Sequence, residues 1–82
     1  MSPAIRLSAH ARQRLAARGI PLAWVEYVLA RPDVSRADPT AATIRSFRAI
    51  PQAGGRVLRV VHRQAGAEVL VITAFLDRGA RQ

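Results

Sequence analysis

Two runs near the C-terminus decide the fold of this sequence: RVLRVVHR at residues 56–63 and EVLVITAF at residues 68–75. β-Branched residues are frequent in both runs, and apolar positions recur with a period of two, which is typical of β-strands. The connecting QAGA at residues 64–67 is short and contains a glycine, as hairpin loops do. A third such run, residues 43–50, precedes the loop PQAGG at residues 51–55. These patterns predict an antiparallel meander of at least three strands.

The alternation in the last two predicted strands gives the sheet one apolar side and one mixed side. Leu58 and Val60 face the apolar side of the first strand, whereas Arg59 and Arg63 face the other side. In the second strand we expect the mixed side to carry Val69, Val71, Thr73 and Phe75, opposite Leu70, Ile72 and Ala74. Helices must cover the apolar side, because a sheet buries one face against another layer. The mixed side is then left open as a candidate ligand surface.

The N-terminal part has the pattern of a short strand followed by a helix. Residues 5–7 are a candidate edge strand, and Ser8 is a good N-cap for a helix that ends near residue 18. Gly19 suits the left-handed position that follows a helix. Three polar residues, each four positions from the next, lie on one side of this helix: His10, Arg14 and Arg18.

A second helix is predicted from the apolar spacing of Trp24, Val25, Val28 and Leu29. Pro21 suits its first position, where the missing N–H has no consequence, and Pro32 ends it. Residues 34–36 are a candidate brief strand. The expected fold class is therefore α+β, with a short N-terminal strand and two helices packed on one face of a twisted antiparallel sheet of three to five strands. Residues 1–82 are expected to form a single domain.

Composition limits the classes of function. The 82 residues include 13 arginines, no lysine and 5 acidic residues, so the net charge is 13 − 5 = +8. Guanidinium groups bind phosphate bidentately and stack on bases, so this charge suits nucleic acid or an acidic protein partner. The chain has no cysteine, which excludes disulfides, cysteine-ligated zinc and thiol nucleophiles. Its His, Asp and Glu residues lack metal-ligand spacing, so we expect no metal and no cofactor.

The sequence also bears on location. The apolar run at residues 69–76 is far shorter than the roughly 20 residues that a membrane span needs, so we expect no membrane association. The absence of acidic residues before Glu26 superficially suggests an organelle transit peptide. Removing this amphipathic segment would delete about a quarter of an already small domain, and it contains no apolar h-region, so we interpret it as structural. We therefore predict a cytoplasmic location.

Several of these motifs together resemble a known family. They are Ser8-x-His10-Ala11-x-x-Arg14-Leu15-x-x-Arg18-Gly19-Ile20, Arg45-x-Phe47-Arg48, Gly55-Arg56-x-Leu58-x-Val60-Val61 and Val71-Ile72-Thr73-Ala74. The pattern resembles a family of small bacterial domains of unknown function, whose layout is similar to that of the BrnT and RelE-type toxins. The resemblance implies a RelE/BrnT-like fold and a metal-independent endoribonuclease that acts on mRNA, free or on the ribosome. It also implies that the protein is the toxin of a type II toxin–antitoxin system, with a cognate antitoxin as partner.

Cleavage of RNA without a metal requires a base for the attacking 2′-hydroxyl, an acid for the leaving 5′-oxygen and cations near the phosphoryl oxygens. Histidine suits the first two roles, because its ordinary pKa of about 6.5 lies near working pH. His10 is the first candidate, with Arg14 one helical turn away, and His62 is the alternative. Arg45 is a candidate phosphate clamp. Thr73 is expected to hydrogen-bond a phosphoryl oxygen or to orient the imidazole.

Other arginines are candidates for binding RNA without taking part in cleavage: Arg18, Arg59 and Arg63. Phe75 is the candidate for stacking on a base. Two other classes of function stay open at this point. One is a non-catalytic nucleic-acid-binding module, in which the arginines only position phosphates. The other is a protein-interaction domain, which docks an acidic partner or forms a homodimer through the sheet edge.

Overall fold

The computed structural model of this chain describes residues 4–77, which form a five-stranded mixed sheet and two helices. The strands are β1 (Ala4–Leu7), β2 (Val34–Ala37), β3 (Ile44–Ile50), β4 (Arg56–Ala65) and β5 (Glu68–Asp77). The helices are α1 (Ala9–Arg18) and α2 (Leu22–Ala30), and a short 3₁₀ helix, Pro51–Ala53, connects β3 to β4. In this part of the chain neither helix has the length and apolar character needed to cross a membrane.

The strands lie in the order β1-β5-β4-β3-β2. β2, β3, β4 and β5 form an antiparallel meander, as the sequence predicts. β1 joins the far edge of β5 and runs parallel to it. The sheet is therefore mixed rather than wholly antiparallel, because the two helices carry the chain across the sheet before β2 begins. The α+β class, the N-terminal edge strand and the brief strand β2 are confirmed.

Both helices pack on one face of the sheet, where the apolar core lies. α1 lies against β5, and α2 lies against β4 and β3. The buried core combines positions from the helices, their connection and the sheet: Ala11, Leu15, Ile20, Val25, Val28, Ile50, Leu58, Val60, Val71 and Ala74. Burial of this apolar surface is the main favourable term in folding. We call the opposite side the open face, and its register positions include Arg45, Phe47, Ala49, Val57, Arg59, Val61, Thr73 and Phe75.

A β-bulge in β5 corrects the alternation that the sequence suggests. The pairing steps from Val61 opposite Thr73 to His62 opposite Val71, so Ile72 is an extra residue. The extra residue reverses the alternation on its N-terminal side. Val71, which simple alternation places on the mixed side, is instead completely buried in the core. Thr73 lies after the bulge and stays on the open face.

The helix ends follow the predicted signals with one shift. Gly19 ends α1 with φ 63°, a left-handed conformation that glycine adopts without strain. Pro21 is extended and precedes α2 as its N-cap, rather than being the first helical residue. The shift is one position, within the usual uncertainty of a helix boundary.

Two side-chain hydrogen bonds at opposite ends of α1 fix this helix to the edge of β5. β1 covers only the start of that edge. Beyond it, Ser8 Oγ donates to the Ile72 carbonyl oxygen at 3.2 Å and accepts the N–H of Ala11 at 3.0 Å. Arg18 Nη1 donates to the Ala74 carbonyl oxygen at 2.8 Å. Both ends of α1 thus supply donors to carbonyl groups that β1 does not reach, and Ser8 is confirmed as the N-cap.

Replacing Ser8 by Ala should lower the free energy of unfolding by about 1–2 kcal/mol, because it removes the N-cap and the donor to a β5 carbonyl. Urea denaturation followed by circular dichroism measures this change. Gln13→Ala, at an exposed position of the same helix, is the control and should change the free energy by less than about 0.5 kcal/mol. An S8A variant as stable as the wild type would contradict the role assigned to this serine.

Candidate nucleic-acid interface

A row of alternating aromatic and cationic side chains crosses the open face. Phe47 in β3, Arg59 in β4 and Phe75 in β5 are direct neighbours in the strand register. The guanidinium carbon of Arg59 lies 4.6 Å from the centroid of the Phe75 ring and 5.5 Å from that of the Phe47 ring. Both distances are within the range of a cation–π contact. All three side chains are only partly buried, so the contacts hold them in place while leaving part of their surface in solvent.

Arg18 extends this row beyond the edge of the sheet. Its guanidinium carbon lies 5.4 Å from the centroid of the Phe75 ring, while its Nη1 is bonded to β5. Arg18 and Phe75 also line an open groove of about 490 Å³ together with Arg56. We call these four side chains the stacking row: Phe47, Arg59, Phe75 and Arg18. Aromatic rings and guanidinium planes are the surfaces on which proteins stack unpaired bases.

A cavity of about 250 Å³ lies beside Phe47 at the other end of the stacking row. Val34 pairs directly with Phe47, and Ala49 and Val57 follow on the same face. These residues line the cavity together with Asp33, Arg48 and the two glycines of the β3–β4 connection. The backbone N–H of Asp33 donates to the Phe47 carbonyl oxygen at 2.9 Å. This bond fixes an acidic residue at one end of the stacking row. We call the cavity beside Phe47 the Phe47 cavity.

His10 and Arg14 are in contact on the exposed surface of α1. Arg14 Nε donates to His10 Nε2 at 3.4 Å, so Nε2 is the acceptor in this contact. Arg18 lies one turn further along the same side of the helix and reaches the β5 edge. The contact between His10 and Arg14 therefore lies on the side of α1 that leads to the stacking row.

Arg45 and Thr73 share the next row of the open face, separated by Val61. Arg45 Nη2 forms an ion pair with a carboxylate oxygen of Asp38 at 2.8 Å, so its charge is already balanced. Among residues 4–77 no hydrogen bond joins His10 to either residue of this row. The structure thus brings together one pair of the four predicted catalytic residues and leaves Arg45 and Thr73 apart from it. Their catalytic roles stay predictions.

The carboxylate of Asp38 has several donors besides Arg45. The backbone N–H and the side chain of Thr40, the Arg45 guanidinium and the backbone N–H of Ala41 all stabilise its charged form. Together they lower the pKa of Asp38 from 3.8 to about 2. The loop between β2 and β3 is therefore built around an ionised aspartate, which also holds Arg45 toward the β2 edge.

His62, the alternative catalytic residue, belongs to a polar network on the helix-covered side of the sheet. Its Nε2 lies 2.8 Å from Ser46 Oγ, and that hydroxyl lies 3.0 Å from Ser35 Oγ. Burial lowers the pKa of His62 below its ordinary value of 6.5, because the charged form loses solvation. Ser46 is only 2% exposed, so it has no access to a polymer substrate. The network links β2, β3 and β4; His62 itself is half-buried and Ser35 is exposed, and the catalytic role of His62 stays a prediction.

The predicted RNA-binding arginines do not all lie at one point. Arg18 and Arg59 meet at the Phe75 ring. Arg63 is exposed further along β4, on the open face by alternation. Sequence reasoning missed Phe47 as a member of the interface. Alternation along β3 carried the necessary signal, because it places this ring on the open face.

The described part of the chain offers cationic and stacking surfaces rather than metal ligation. Within residues 4–77 no group of three His, Cys, Asp or Glu side chains is arranged to hold a metal ion. The interface consists of guanidinium groups, aromatic rings, one cavity with an acidic residue and one exposed imidazole. This set can stack bases, bind phosphate and transfer a proton.

Comparison with known proteins identifies the family of this chain. A family model described as a domain of unknown function, DUF4258, matches residues 7–76. No curated protein and no solved structure matches the chain. The matched range begins at the end of β1 and ends within β5, so it includes both helices and the whole stacking row.

His62 should make stability depend on pH below 6.5. Its folded pKa is lower than 6.5, so as the pH falls through that value the unfolded chain takes up a proton that the folded chain does not. The contribution of His62 to the free energy of unfolding should therefore be constant above pH 6.5 and decrease below it. Urea denaturation between about pH 7.5 and about pH 5 measures this decrease. His62→Gln should remove this decrease.

His10→Gln is the control for that measurement and should leave the decrease in place. The contribution of Asp38 is separate, because a carboxylate with a pKa of about 2 loses its stabilising effect only as the pH falls below 3.8. An unchanged decrease in H62Q would show that another group causes it.

Proposed function

The chain belongs to the DUF4258 family, and on that premise we propose that it binds single-stranded RNA across its open face. The observation that carries the proposal is the stacking row. Two rings and two guanidinium groups follow one another from β3 across the sheet to α1. Single-stranded nucleic acid presents base faces and phosphates in alternation, and this row offers a matching surface for each.

The spacing of the rings favours unpaired bases. Adjacent strands are about 4.8 Å apart, so Phe47 and Phe75, which are separated by one strand, are roughly 10 Å apart along the sheet. Bases splayed from a single strand can occupy such positions, whereas stacked bases in a duplex expose no free face. Arg59 lies between the rings and holds both through cation–π contacts. A duplex would contact the guanidinium groups but not the faces of the rings.

The charge of the chain supports the same ligand. The net charge is +8. Arg63 is exposed on the open face, and Arg18 and Arg56 are exposed in the groove beside Phe75. Each guanidinium that neutralises a phosphate releases condensed counterions, which drives association at low salt. Arg45 contributes less to this attraction, because Asp38 already balances it.

A metal-independent endoribonuclease is a second candidate, and the contact between His10 and Arg14 favours it. In this reaction the 2′-oxygen of RNA attacks the adjacent phosphorus, the bond to the 5′-oxygen breaks, and a 2′,3′-cyclic phosphate forms. When RNA binds, the Arg14 guanidinium would turn from His10 Nε2 to the phosphoryl oxygens, and the lone pair released on Nε2 could then accept the proton of the 2′-hydroxyl. A second proton, delivered by water or by the protonated imidazole, completes the 5′-hydroxyl.

This second candidate corresponds to the toxin of a type II toxin–antitoxin system, as the resemblance to BrnT and RelE-type toxins implies. Under it the protein acts on mRNA in the cytoplasm, and a cognate antitoxin covers the basic open face in a hetero-oligomer. Arg45 and Thr73 would then contact phosphate one row from the stacking row. A non-catalytic RNA-binding module would use the same face without cutting.

Replacing Phe47 or Phe75 by Leu should weaken binding of a short oligouridine about tenfold each, because leucine keeps the apolar volume and removes the flat surface for a base. Fluorescence anisotropy at fixed low salt measures the dissociation constant. Tyr27→Leu is the matched control, since this exposed aromatic residue lies on α2, away from the open face. Equal affinity of all three variants and the wild type would contradict the proposal.

A salt titration in the same assay distinguishes the contribution of base stacking to the affinity from that of phosphate binding. For single strands the slope of log Kobs against log salt is about −0.7 per phosphate contact. Arg63→Gln should reduce the slope by about 0.7, whereas Phe47→Leu should lower the affinity and keep the slope. A binding constant that does not change with salt would favour a protein-docking surface instead.

The second candidate has its own test. With EDTA present, the wild type should cut RNA, and His10→Ala should cut it about 10²- to 10⁴-fold more slowly, because the proton acceptor is lost. His62→Gln, which changes the histidine on the covered side, should keep the wild-type rate. Circular dichroism checks that both variants fold. Binding without any cleavage by the wild type would remove the endoribonuclease candidate and leave the RNA-binding proposal standing.

A further inference from the structure

We infer that the Phe47 cavity recognises an unpaired guanine base, whose N1–H and N2–H donate to the carboxylate of Asp33. This inference rests on the proposed RNA binding and deepens it by naming the base. It arises from a feature that phosphate binding does not explain, namely an acidic residue beside the stacking row.

The shape of the cavity suits a single planar base. Val34, Phe47, Ala49 and Val57 lie together on the open face and give the cavity an apolar lining. Its volume of about 250 Å³ is slightly below the roughly 300–1,000 Å³ of sites for drug-sized ligands. A whole nucleotide would therefore leave its sugar and phosphate outside. Those groups would continue along the open face toward the arginines of the stacking row.

Asp33 is fixed in position and has an available carboxylate. Its backbone N–H is bonded to the Phe47 carbonyl oxygen at 2.9 Å, so its position follows that of the ring. Its side chain is exposed, and among residues 4–77 no hydrogen bond or ion pair reaches its carboxylate. Arg48 also lines the cavity, but its guanidinium donates to the Arg31 carbonyl oxygen and lies over the Tyr27 ring. Only 5 acidic residues oppose 13 arginines in this chain. A carboxylate beside an RNA-binding face repels phosphate, so it favours ligands that present hydrogen-bond donors instead.

Guanine matches this carboxylate better than the other bases do. The Watson–Crick edge of guanine carries two adjacent donors, N1–H and N2–H, which suit the two oxygens of one carboxylate. Adenine, cytosine and uracil each present a single donor group on that edge, with acceptors beside it. A bidentate contact between a side chain and a base discriminates against the wrong base by about 1–3 kcal/mol, or roughly 5- to 150-fold.

The test uses short oligouridines with one central nucleotide that is guanosine, inosine, adenosine, cytidine or uridine. The wild type should bind the guanosine probe about tenfold more tightly than the uridine probe. Inosine keeps N1–H and lacks the N2 amine, so its probe should bind about threefold more weakly than the guanosine probe. The deoxyguanosine probe should keep the preference over deoxyuridine, because the recognised edge is the same in DNA.

The second part of the experiment measures the binding of the same probes to the Asp33→Asn variant. This substitution should remove the preference for guanosine and leave the affinity for the uridine probe equal or higher, because a negative charge is lost. Glu26→Gln removes the same charge from an exposed position on α2 and should keep the preference. Equal affinity of the wild type for all five probes would overturn the inference while leaving the RNA-binding proposal intact. A guanosine preference that persists in D33N would overturn the role of this carboxylate, and failure to bind any probe would overturn both proposals.

Discussion

The attachment of α1 to the uncovered edge of β5 is the constraint on which the rest of the structure depends. β1 pairs with only the first part of β5, so the carbonyl groups of Ile72 and Ala74 face α1 instead of another strand. Ser8 and Arg18 supply the donors at the two ends of α1. With the helix fixed in this way, Ala11 and Leu15 are buried in the core. Without it, β5 would expose backbone acceptors at an apolar edge, which favours unwanted pairing.

The polar groups on the two faces of the sheet have different environments. On the helix-covered side the polar groups bond to one another, as the network of Ser35, Ser46 and His62 shows. On the open face the guanidinium of Arg59 lies between two aromatic rings, and the residue is half-buried. Buried polar groups need partners inside the protein, whereas an exposed guanidinium such as that of Arg63 can bind a ligand. The functional proposals therefore concern the open face and its edge at α1.

Local sequence patterns were sufficient to predict most helices and strands, but not the irregularities that depend on contacts between distant residues. The cap at Ser8, the glycine after α1 and the alternation in β3 and β4 are properties of neighbouring residues, and the structure confirms them. The bulge at Ile72 depends on how β5 meets β4, which no local spacing encodes. The Phe47 cavity likewise needs a backbone bond from Asp33 to a residue in another strand. The sequence indicated Arg45 as a candidate phosphate clamp, but its ion pair with Asp38 depends on the conformation of the loop after β2, which residue spacing does not encode.

The bond between Ser8 and Ile72 also has a consequence for how the chain folds during synthesis. Its two residues are 64 positions apart in sequence. β1 and α1 are synthesised before β5, so their partner strand is still missing when they leave the ribosome. Contacts of such long range are formed late and slow the folding of small domains. Until β5 arrives, the apolar side of α1 is exposed, and the nascent chain depends on its many positive charges to avoid association with other chains.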